Sequence, residues 1–202
     1  MKHALSSLTR GGFERDESKR YISTSIVGDI YCSMAKYANA ITEYETARAG
    51  LERALGKDHT YTLVVVLKMA VVFSNQGEYD KALEWHHRAL DGQERALGMS
   101  NPQNLLTVHN IGSVFRNKAE YNKSLEWYQR ALDGQEGALG EDHPDSLSTV
   151  HSMATALLIK GEHDKSMGRF QRALDGQEKT FGKAHPETLW TAYNMGIVFQ
   201  HK

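Results

Sequence analysis

Residues 84–98 read EWHHRALDGQERALG and residues 126–140 read EWYQRALDGQEGALG, so one stretch of sequence occurs twice with few changes. A third, shorter copy, RALDGQEKTFG, occupies residues 172–182. Four hydrophobic residues that each precede a glycine follow one another at intervals of 42 residues, namely Leu55, Leu97, Leu139 and Phe181. Self-similarity at one fixed period is typical of stacked supersecondary units, so the period predicts a repeat fold.

The charge balance and the composition exclude several classes of partner. The formal net charge is −1, from 24 Lys and Arg against 25 Asp and Glu, so we expect neither nucleic acid nor a membrane as a partner. No run of about 18 apolar residues predicts a membrane span, and residues 1–12 lack the apolar stretch of a secretory signal. The single cysteine, Cys32, allows no internal disulfide. Together these features predict cytosolic or nuclear residence, and we take cytoplasmic as the expected localisation.

Each of the three prolines is predicted to start a helix. Proline fixes φ and lacks a backbone donor, which suits the first turn of a helix. Pro102, Pro144 and Pro186 occupy the same place in successive repeats. Apolar residues then recur at helical spacing, as Val108, Ile111, Gly112 and Phe115 in one repeat, Val150, Met153, Ala154 and Leu157 in the next, and Ala192, Met195, Gly196 and Phe199 in the last. We name this predicted element helix A.

A second amphipathic helix, helix B, is predicted after a short break, as at residues 118–120. Its stripe contains small residues, such as Ala82 and Ala131, that let two helix axes approach closely. An aromatic ring, Tyr128 or Phe170, fills the space beside them. Helices A and B are therefore predicted to form an antiparallel pair.

The helix pair resembles the tetratricopeptide repeat. That family carries a small and then an aromatic residue in helix A, followed by small, aromatic and small residues in helix B, which here are Gly112, Phe115, Ser124, Tyr128 and Ala131. The period of 42 residues exceeds the ~34 of the standard repeat and is similar to the long repeats of kinesin light chains and of fungal and bacterial light-chain-like proteins. The resemblance covers residues 16–202 and implies an all-α, right-handed α-solenoid of antiparallel helix pairs.

The period divides the chain into a degenerate first repeat, three complete repeats and helix A of a truncated fifth, at residues 16–57, 58–99, 100–141, 142–183 and 184–202. Residues 1–15 are interpreted as the worn end of a preceding repeat or as a disordered lead-in, so the array is expected to be cut from a longer one. Because terminal repeats need polar outer faces, the last helix is predicted to fray or to self-associate through Trp190, Met195 and Phe199.

The turn between helices A and B differs in one repeat. Gly77 and Gly161 occupy equivalent places in this turn, but Ala119 takes the place in the third repeat. If the turn requires positive φ, alanine there costs roughly 1 kcal/mol. We therefore predict that Ala119→Gly stabilises the protein.

The reactive side chains form no catalytic or metal-binding motif. Neither His-Glu-x-x-His nor the phosphate-binding Gly-x-x-x-x-Gly-Lys-Ser/Thr occurs. His59, His143 and His185 recur once per repeat at the entry to helix A, which favours loop or capping roles. Cys32 has no base at a fixed spacing. We predict no enzyme activity, no cofactor and no metal site.

Two tryptophans stand at one repeated place on helix B, off the centre of its buried stripe. Trp85 and Trp127 are interpreted as packing residues between neighbouring repeats, with ligand anchoring as the alternative. Arg169 takes this place in the fourth repeat, beside Met167 and Gly168, so looser packing is expected there.

The polar face of helix A is the candidate binding site. In the tetratricopeptide family helix A lines the concave surface, so the resemblance implies that this face is a groove. Asparagine suits such a groove because its amide donates to and accepts from an extended peptide backbone. Asn110 and Asn194 stand where peptide-clamping family members carry asparagine. The predicted peptide-binding residues are Lys68, Asn75, His109, Asn110, Ser113, Arg116, Asn117, His151, Ser152, Tyr193 and Asn194.

The predicted function is a protein–protein interaction module, an adaptor or scaffold that binds a protein or peptide partner in this groove. The basic side chains of Lys68, Arg116, His109 and His151 beside apolar ones favour a short peptide with an aromatic or aliphatic anchor and some acidic residues. Three alternatives are a merely solvated polar face, a ligand- or partner-sensing region of a nucleotide-binding signalling protein of the STAND/NLR type, and a structural spacer.

Overall fold

The structure, a computed structural model, describes residues 2–98 and 101–200, with side chains from residue 17 onward. Within these ranges the chain forms nine helices and no strand. They are α1 (Lys2–Ser33), α2 (Tyr37–Leu55), α3 (Thr60–Asn75), α4 (Tyr79–Leu97), α5 (Pro102–Asn117), α6 (Tyr121–Leu139), α7 (Pro144–Lys160), α8 (His163–Phe181) and α9 (Pro186–Gln200). The repeat bounds that fall on residues 1, 99, 100 and 202 lie outside the described residues.

The helices pack as consecutive antiparallel pairs, which confirms the predicted all-α architecture. The chain forms two compact units, and the boundary between them lies between residues 99 and 100. In the first unit α2 packs on α1 and α3, and α3 packs on α4. In the second unit each helix from α5 to α9 packs on the next, and α7 also contacts α5 and α9. The helices A of one unit therefore lie side by side, while the exact repeat bounds stay a prediction.

Side chains at the helix-A entries cap the helices as the sequence predicts. The side chain of Asn101 accepts a hydrogen bond from the Gln103 backbone N–H at 2.9 Å, and Pro102 begins α5. Nδ1 of His143 accepts from the Asp145 backbone N–H at 3.2 Å. His59 and His185 make the same contact at their own helices. Capping satisfies one of the backbone donors that a helix start leaves unpaired.

The turns from helix A to helix B have left-handed backbone at one residue. Gly77 and Gly161 have φ of 77° and 86°. Ala35 and Ala119, at equivalent places in the first and third repeats, have φ of 55° and 62°. The turn therefore requires positive φ, and two of its four copies carry a residue that disfavours this conformation.

A small residue of helix A faces an aromatic or histidine ring of helix B in the core of each pair. A Cβ atom at Gly112 would lie 2.8 Å from Cδ1 of Tyr128, which is fully buried. Gly28 stands in the same relation to Tyr44, at 2.5 Å from Cε1. The other two complete pairs carry alanine with a different ring, Ala70 with His86 and Ala154 with Phe170.

Helix α9 departs from the buried stripe that the sequence predicts. Met195 and Val198 pack with Phe170, but Phe199 is 65% exposed and Ala192 is also exposed. The reason is that α9 packs on α7 and α8, and no further helix among the described residues covers its other side. Of the three residues predicted for self-association, Met195 is therefore unavailable. Fraying or self-association of α9 stays a prediction.

Candidate functional site

Three neighbouring helices of the second unit carry most of the predicted groove residues. His109, Asn110, Ser113, Arg116 and Asn117 lie on α5, His151 and Ser152 on α7, and Tyr193 and Asn194 on α9. We call the surface formed by these residues the helix-A face. Because α7 contacts both α5 and α9, the structure brings these nine residues onto adjacent helices. Lys68 and Asn75 lie on α3 in the first unit.

Hydrogen bonds between helices occupy several of these polar side chains. Oγ of Ser113 lies 2.9 Å from the hydroxyl of Tyr128, which reaches it past Gly112. Nδ1 of His109 lies 2.9 Å from Oγ1 of Thr149, and Thr149 donates to Oε1 of Gln135 at 2.8 Å. These hydrogen bonds tie Ser113 and His109 to neighbouring helices, and their role in ligand binding stays a prediction.

His109 and His151 add no positive charge to the helix-A face near neutral pH. Burial, with a smaller effect of the nearby Arg116, lowers the pKa of His109 to about 4. The same two causes lower the pKa of His151 to about 4, and its Nδ1 lies 2.9 Å from Oγ1 of Thr191. This corrects the sequence-based prediction, which counted both histidines with the basic groups of the groove. Burial penalises the charged imidazolium, and a sequence does not show that burial.

Asn110 and Arg116 keep side-chain groups that are available to a ligand. Both are half-buried, and neither side chain has a hydrogen-bond or ion-pair partner within the described part of the chain. The amide of Asn194 differs, because its Nδ2 donates to the backbone carbonyl of Trp190 at 3.0 Å. Leu106 and Tyr193 provide exposed apolar surface on the same helices, at 56% and 61% exposure.

The first unit uses its predicted groove lysine internally. Nζ of Lys68 lies 2.6 Å from Oδ2 of Asp29 on α1. The Tyr44 hydroxyl donates to Oδ1 of the same carboxylate at 2.7 Å, and burial together with this carboxylate raises the pKa of Tyr44. Asn75 remains exposed at the end of α3. The groove role of Lys68 and Asn75 stays a prediction.

The geometry and the repeat pattern agree with a known family. The tetratricopeptide repeat family model matches residues 21–95, 63–136, 103–179 and 145–202. The chain belongs to the tetratricopeptide repeat family.

Solved structures of kinesin light chain-like repeat proteins show the same fold as this tetratricopeptide chain. One is the crystal structure of a Podospora anserina putative kinesin light chain with nearly identical TPR-like repeats, with a TM-score of 0.76, 19% identity, and 91% of this chain and 87% of that chain covered. A single-substitution variant of that protein gives a TM-score of 0.78 at 19% identity, with 92% and 87% covered. Another is BtubC (BKLC) from P. vanneervenii, with a TM-score of 0.80, 17% identity, and 98% and 80% covered. No curated protein sequence matches the chain.

In the first unit of this tetratricopeptide chain, Trp85 on α4 contacts a residue of α2, which is also a helix B. This contact agrees with the predicted packing role of Trp85. The guanidinium of Arg48 on α2 lies 5.4 Å from the centre of the Trp85 ring, and that of Arg88 lies 5.2 Å from it. In the second unit, where Arg169 and Gly168 replace tryptophan and glutamate, a cavity of about 720 Å³ lies between α6 and α8. Residues of α7 also line this cavity, and looser packing at Arg169 stays a prediction.

Among residues 17–98 and 101–200, no group of three His, Cys, Asp or Glu side chains could hold a metal ion. The described helices are also all too short or too polar to span a bilayer.

The sequence analysis did not predict the residues on neighbouring helices that form hydrogen bonds or ion pairs with the groove side chains. Asp29, Thr149 and Thr191 were not predicted, although each determines which polar groups remain free. The threonines were detectable, because Thr107, Thr149 and Thr191 recur at the repeat period on helix A. Asp29 had no such signal, because its equivalent in the next repeat is Val71.

Proposed function

We propose that this tetratricopeptide chain is an adaptor or scaffold that holds an extended peptide segment of a partner protein on the helix-A face of its second unit. Tetratricopeptide repeats mediate protein–protein interaction, and the availability of the Asn110 amide supports this role here. That amide is half-buried and without a partner in the described part of the chain, so a ligand can satisfy it.

The chemistry of the helix-A face determines the kind of peptide. The Asn110 amide can donate to a peptide carbonyl and accept from a peptide N–H, which holds a backbone whatever its side chains. Leu106 and Tyr193 favour an aromatic or aliphatic anchor. Because His109 and His151 are neutral, Arg116 alone among the predicted groove residues of this unit supplies positive charge, so one acidic side chain near the end of α5 is expected.

Affinity is expected to be modest. A peptide that is disordered when free must be ordered on binding, and this cost reduces the net free energy. We expect a dissociation constant of micromolar order, which corresponds to about −8 kcal/mol.

Selection from a random peptide library tests the proposal. Peptides selected on the wild-type chain should bind Asn110→Ala more weakly by about 1–3 kcal/mol, because the peptide amide groups lose their partner. Asn122, exposed on α6 and away from the helix-A face, provides the matched control Asn122→Ala, which should bind like wild type. Isothermal titration calorimetry measures affinity, and circular dichroism checks that helicity is unchanged. If Asn110→Ala binds all selected peptides with wild-type affinity, the helix-A face is not the site.

A further inference from the structure

A small cavity of about 200 Å³ lies in the second unit where α7, α8 and α9 meet. Its walls contain one amide, one carboxylate, one indole ring, one imidazole and two hydroxyl groups. The lining residues are Ser148, His151, Gln177, Glu187, Trp190 and Thr191. Ser148 and Trp190 adjoin the helix-A face on α7 and α9, and His151 belongs to it.

The amide of Gln177 provides a hydrogen-bond acceptor that the chain leaves unused. Gln177 is 2% exposed, and its Oε1 has no hydrogen-bond partner. The equivalent Gln135, one repeat earlier, accepts a hydrogen bond from Thr149 at 2.8 Å. Thr191 stands where Thr149 does, but it pairs with His151 without reaching Gln177. A buried acceptor without a donor is costly, so a ligand with an N–H group gains by supplying one.

The carboxylate of Glu187 and the ring of Trp190 provide negative charge and an aromatic face. Glu187 is exposed in the first turn of α9 and forms no ion pair with any described residue. Trp190 is 58% exposed, and its ring stacks on that of Tyr193 with 5.5 Å between their centres. An indole face attracts cations, and an unpaired carboxylate attracts them more strongly.

No residue in the cavity wall carries positive charge near neutral pH. His151 is neutral there, because burial lowers its pKa to about 4. Arg116, whose charge contributes to that lowering, lies on α5 and is not part of the wall. The wall therefore combines one negative charge, one buried amide acceptor without a partner and one aromatic face.

We propose that this cavity binds a guanidinium group, namely an arginine side chain of the bound peptide. The carboxylate of Glu187 pairs with the cation, the Trp190 ring covers its plane, and Oε1 of Gln177 accepts one of its N–H groups. Guanidinium is planar, always charged and rich in donors, which matches all three wall groups. The inference rests on the proposed function, because it places one residue of the peptide beside the helix-A face.

Titration with N-acetyl-arginine amide tests the cavity directly. The indole N–H signal of Trp190 in a nitrogen–proton correlation spectrum, assigned with Trp190→Phe, should shift to saturation with a dissociation constant of about millimolar order. The citrulline analogue keeps the shape and lacks the charge, so it should bind about tenfold more weakly or not at all. Glu187→Gln, at an exposed position, should weaken arginine binding by about the same factor.

Two further variants separate binding from folding. Gln177→Leu removes the unused acceptor and should weaken binding of N-acetyl-arginine amide by about tenfold while the chain stays folded. Gln135→Leu removes the equivalent amide that is already paired, so it should lower the melting temperature and leave the dissociation constant unchanged. If Gln177→Leu does not fold, Glu187→Gln and the citrulline analogue still decide the matter.

Three results would overturn the proposal: no saturation at tens of millimolar, equal binding of arginine and citrulline amides, or unchanged binding by Glu187→Gln. Tighter binding of N-acetyl-lysine amide than of the arginine amide would overturn the choice of guanidinium. The proposed function has its own test, Asn110→Ala with selected peptides, so the two failures can be told apart. A failed arginine titration with a weakened Asn110→Ala rejects the cavity and keeps the helix-A face. Saturable arginine binding with an unweakened Asn110→Ala rejects the helix-A face, and with it the assignment of the guanidinium to a bound peptide.

Discussion

Ala119→Gly is expected to raise the free energy of unfolding. Ala119 has φ of 62° in a turn where Gly161 has φ of 86°, so glycine already adopts this conformation in a sister repeat. The substitution needs no change in the backbone. The turn hydrogen bonds, from Ala119 N–H to the Arg116 carbonyl at 3.0 Å and from Glu120 N–H to the Phe115 carbonyl at 2.9 Å, are kept.

The magnitude follows from two opposing effects. A left-handed conformation costs an L-residue with a Cβ about 1–2 kcal/mol, and glycine removes this cost. Glycine also makes the unfolded chain more flexible, which favours unfolding by about 0.4–1 kcal/mol. The difference between these ranges is about 0–1.6 kcal/mol with its centre near 0.8. We therefore expect a gain of about 0.5–1 kcal/mol, which for a chain of this size raises the melting temperature by roughly 1–4 °C.

Chemical denaturation measures the effect, with controls that the chain itself offers. Ala35→Gly should stabilise by a similar amount, because Ala35 has φ of 55°. Ala49→Gly, at an exposed right-handed position within α2, should destabilise by about 0.5–1 kcal/mol. Gly161→Ala should also destabilise. If Ala119→Gly and Ala49→Gly changed the unfolding free energy by the same amount, left-handed strain would not be the cause.

Three further changes in stability are expected. The folded state holds His86, His109 and His151 neutral, with each pKa lowered to about 4 mainly by burial, so the unfolded state binds more protons below about pH 6.5. The unfolding free energy should therefore fall between about pH 6.5 and 4, by at most about 1.4 kcal/mol per pH unit for each group, and urea titrations that gave a flat profile would contradict this. His86→Phe should raise the unfolding free energy by about 1–3 kcal/mol at pH 7 and reduce that pH dependence, because Nδ1 of His86 is buried without a hydrogen-bond partner. The fourth repeat already carries phenylalanine at this place. A destabilised variant would mean that the ring nitrogen has a partner. The double change Gly168→Glu and Arg169→Trp introduces the residue pair of the third repeat and fills the cavity between α6 and α8. Thermal melting should therefore show an unfolding free energy higher by about 0.5–2 kcal/mol. An unchanged melting temperature would mean that the indole does not enter the cavity.

The repeat period and the local rules of helix formation predicted most of the fold. Pro102 and Pro144 begin helices where proline is favoured, and His143 caps one as its repeated place suggested. These features depend on residues two or three apart, so the sequence displays them directly. The glycines of the sister repeats likewise raised the question of positive φ at Ala119, and the structure answers it with a φ of 62°.

The free polar groups of the site were harder to predict. His109 pairs with Thr149 forty residues later, and Lys68 pairs with Asp29 on another helix. These contacts depend on how one helix pair packs against the next, and no local sequence pattern predicts that packing. The sequence therefore identified the helices that carry the face, and the structure was needed to tell which side chains remain available to a ligand.

The fit between a small residue and a ring in each pair has a consequence for how such an array can grow. Gly112 and Tyr128, like Ala154 and Phe170, lie on the two helices of a single pair, so duplication of one segment of the gene copies both members together. A newly inserted pair is internally matched from the outset. Divergence afterwards is harder, because enlarging Gly112 alone would drive a methyl group into the neighbouring ring, and the two positions must change in concert.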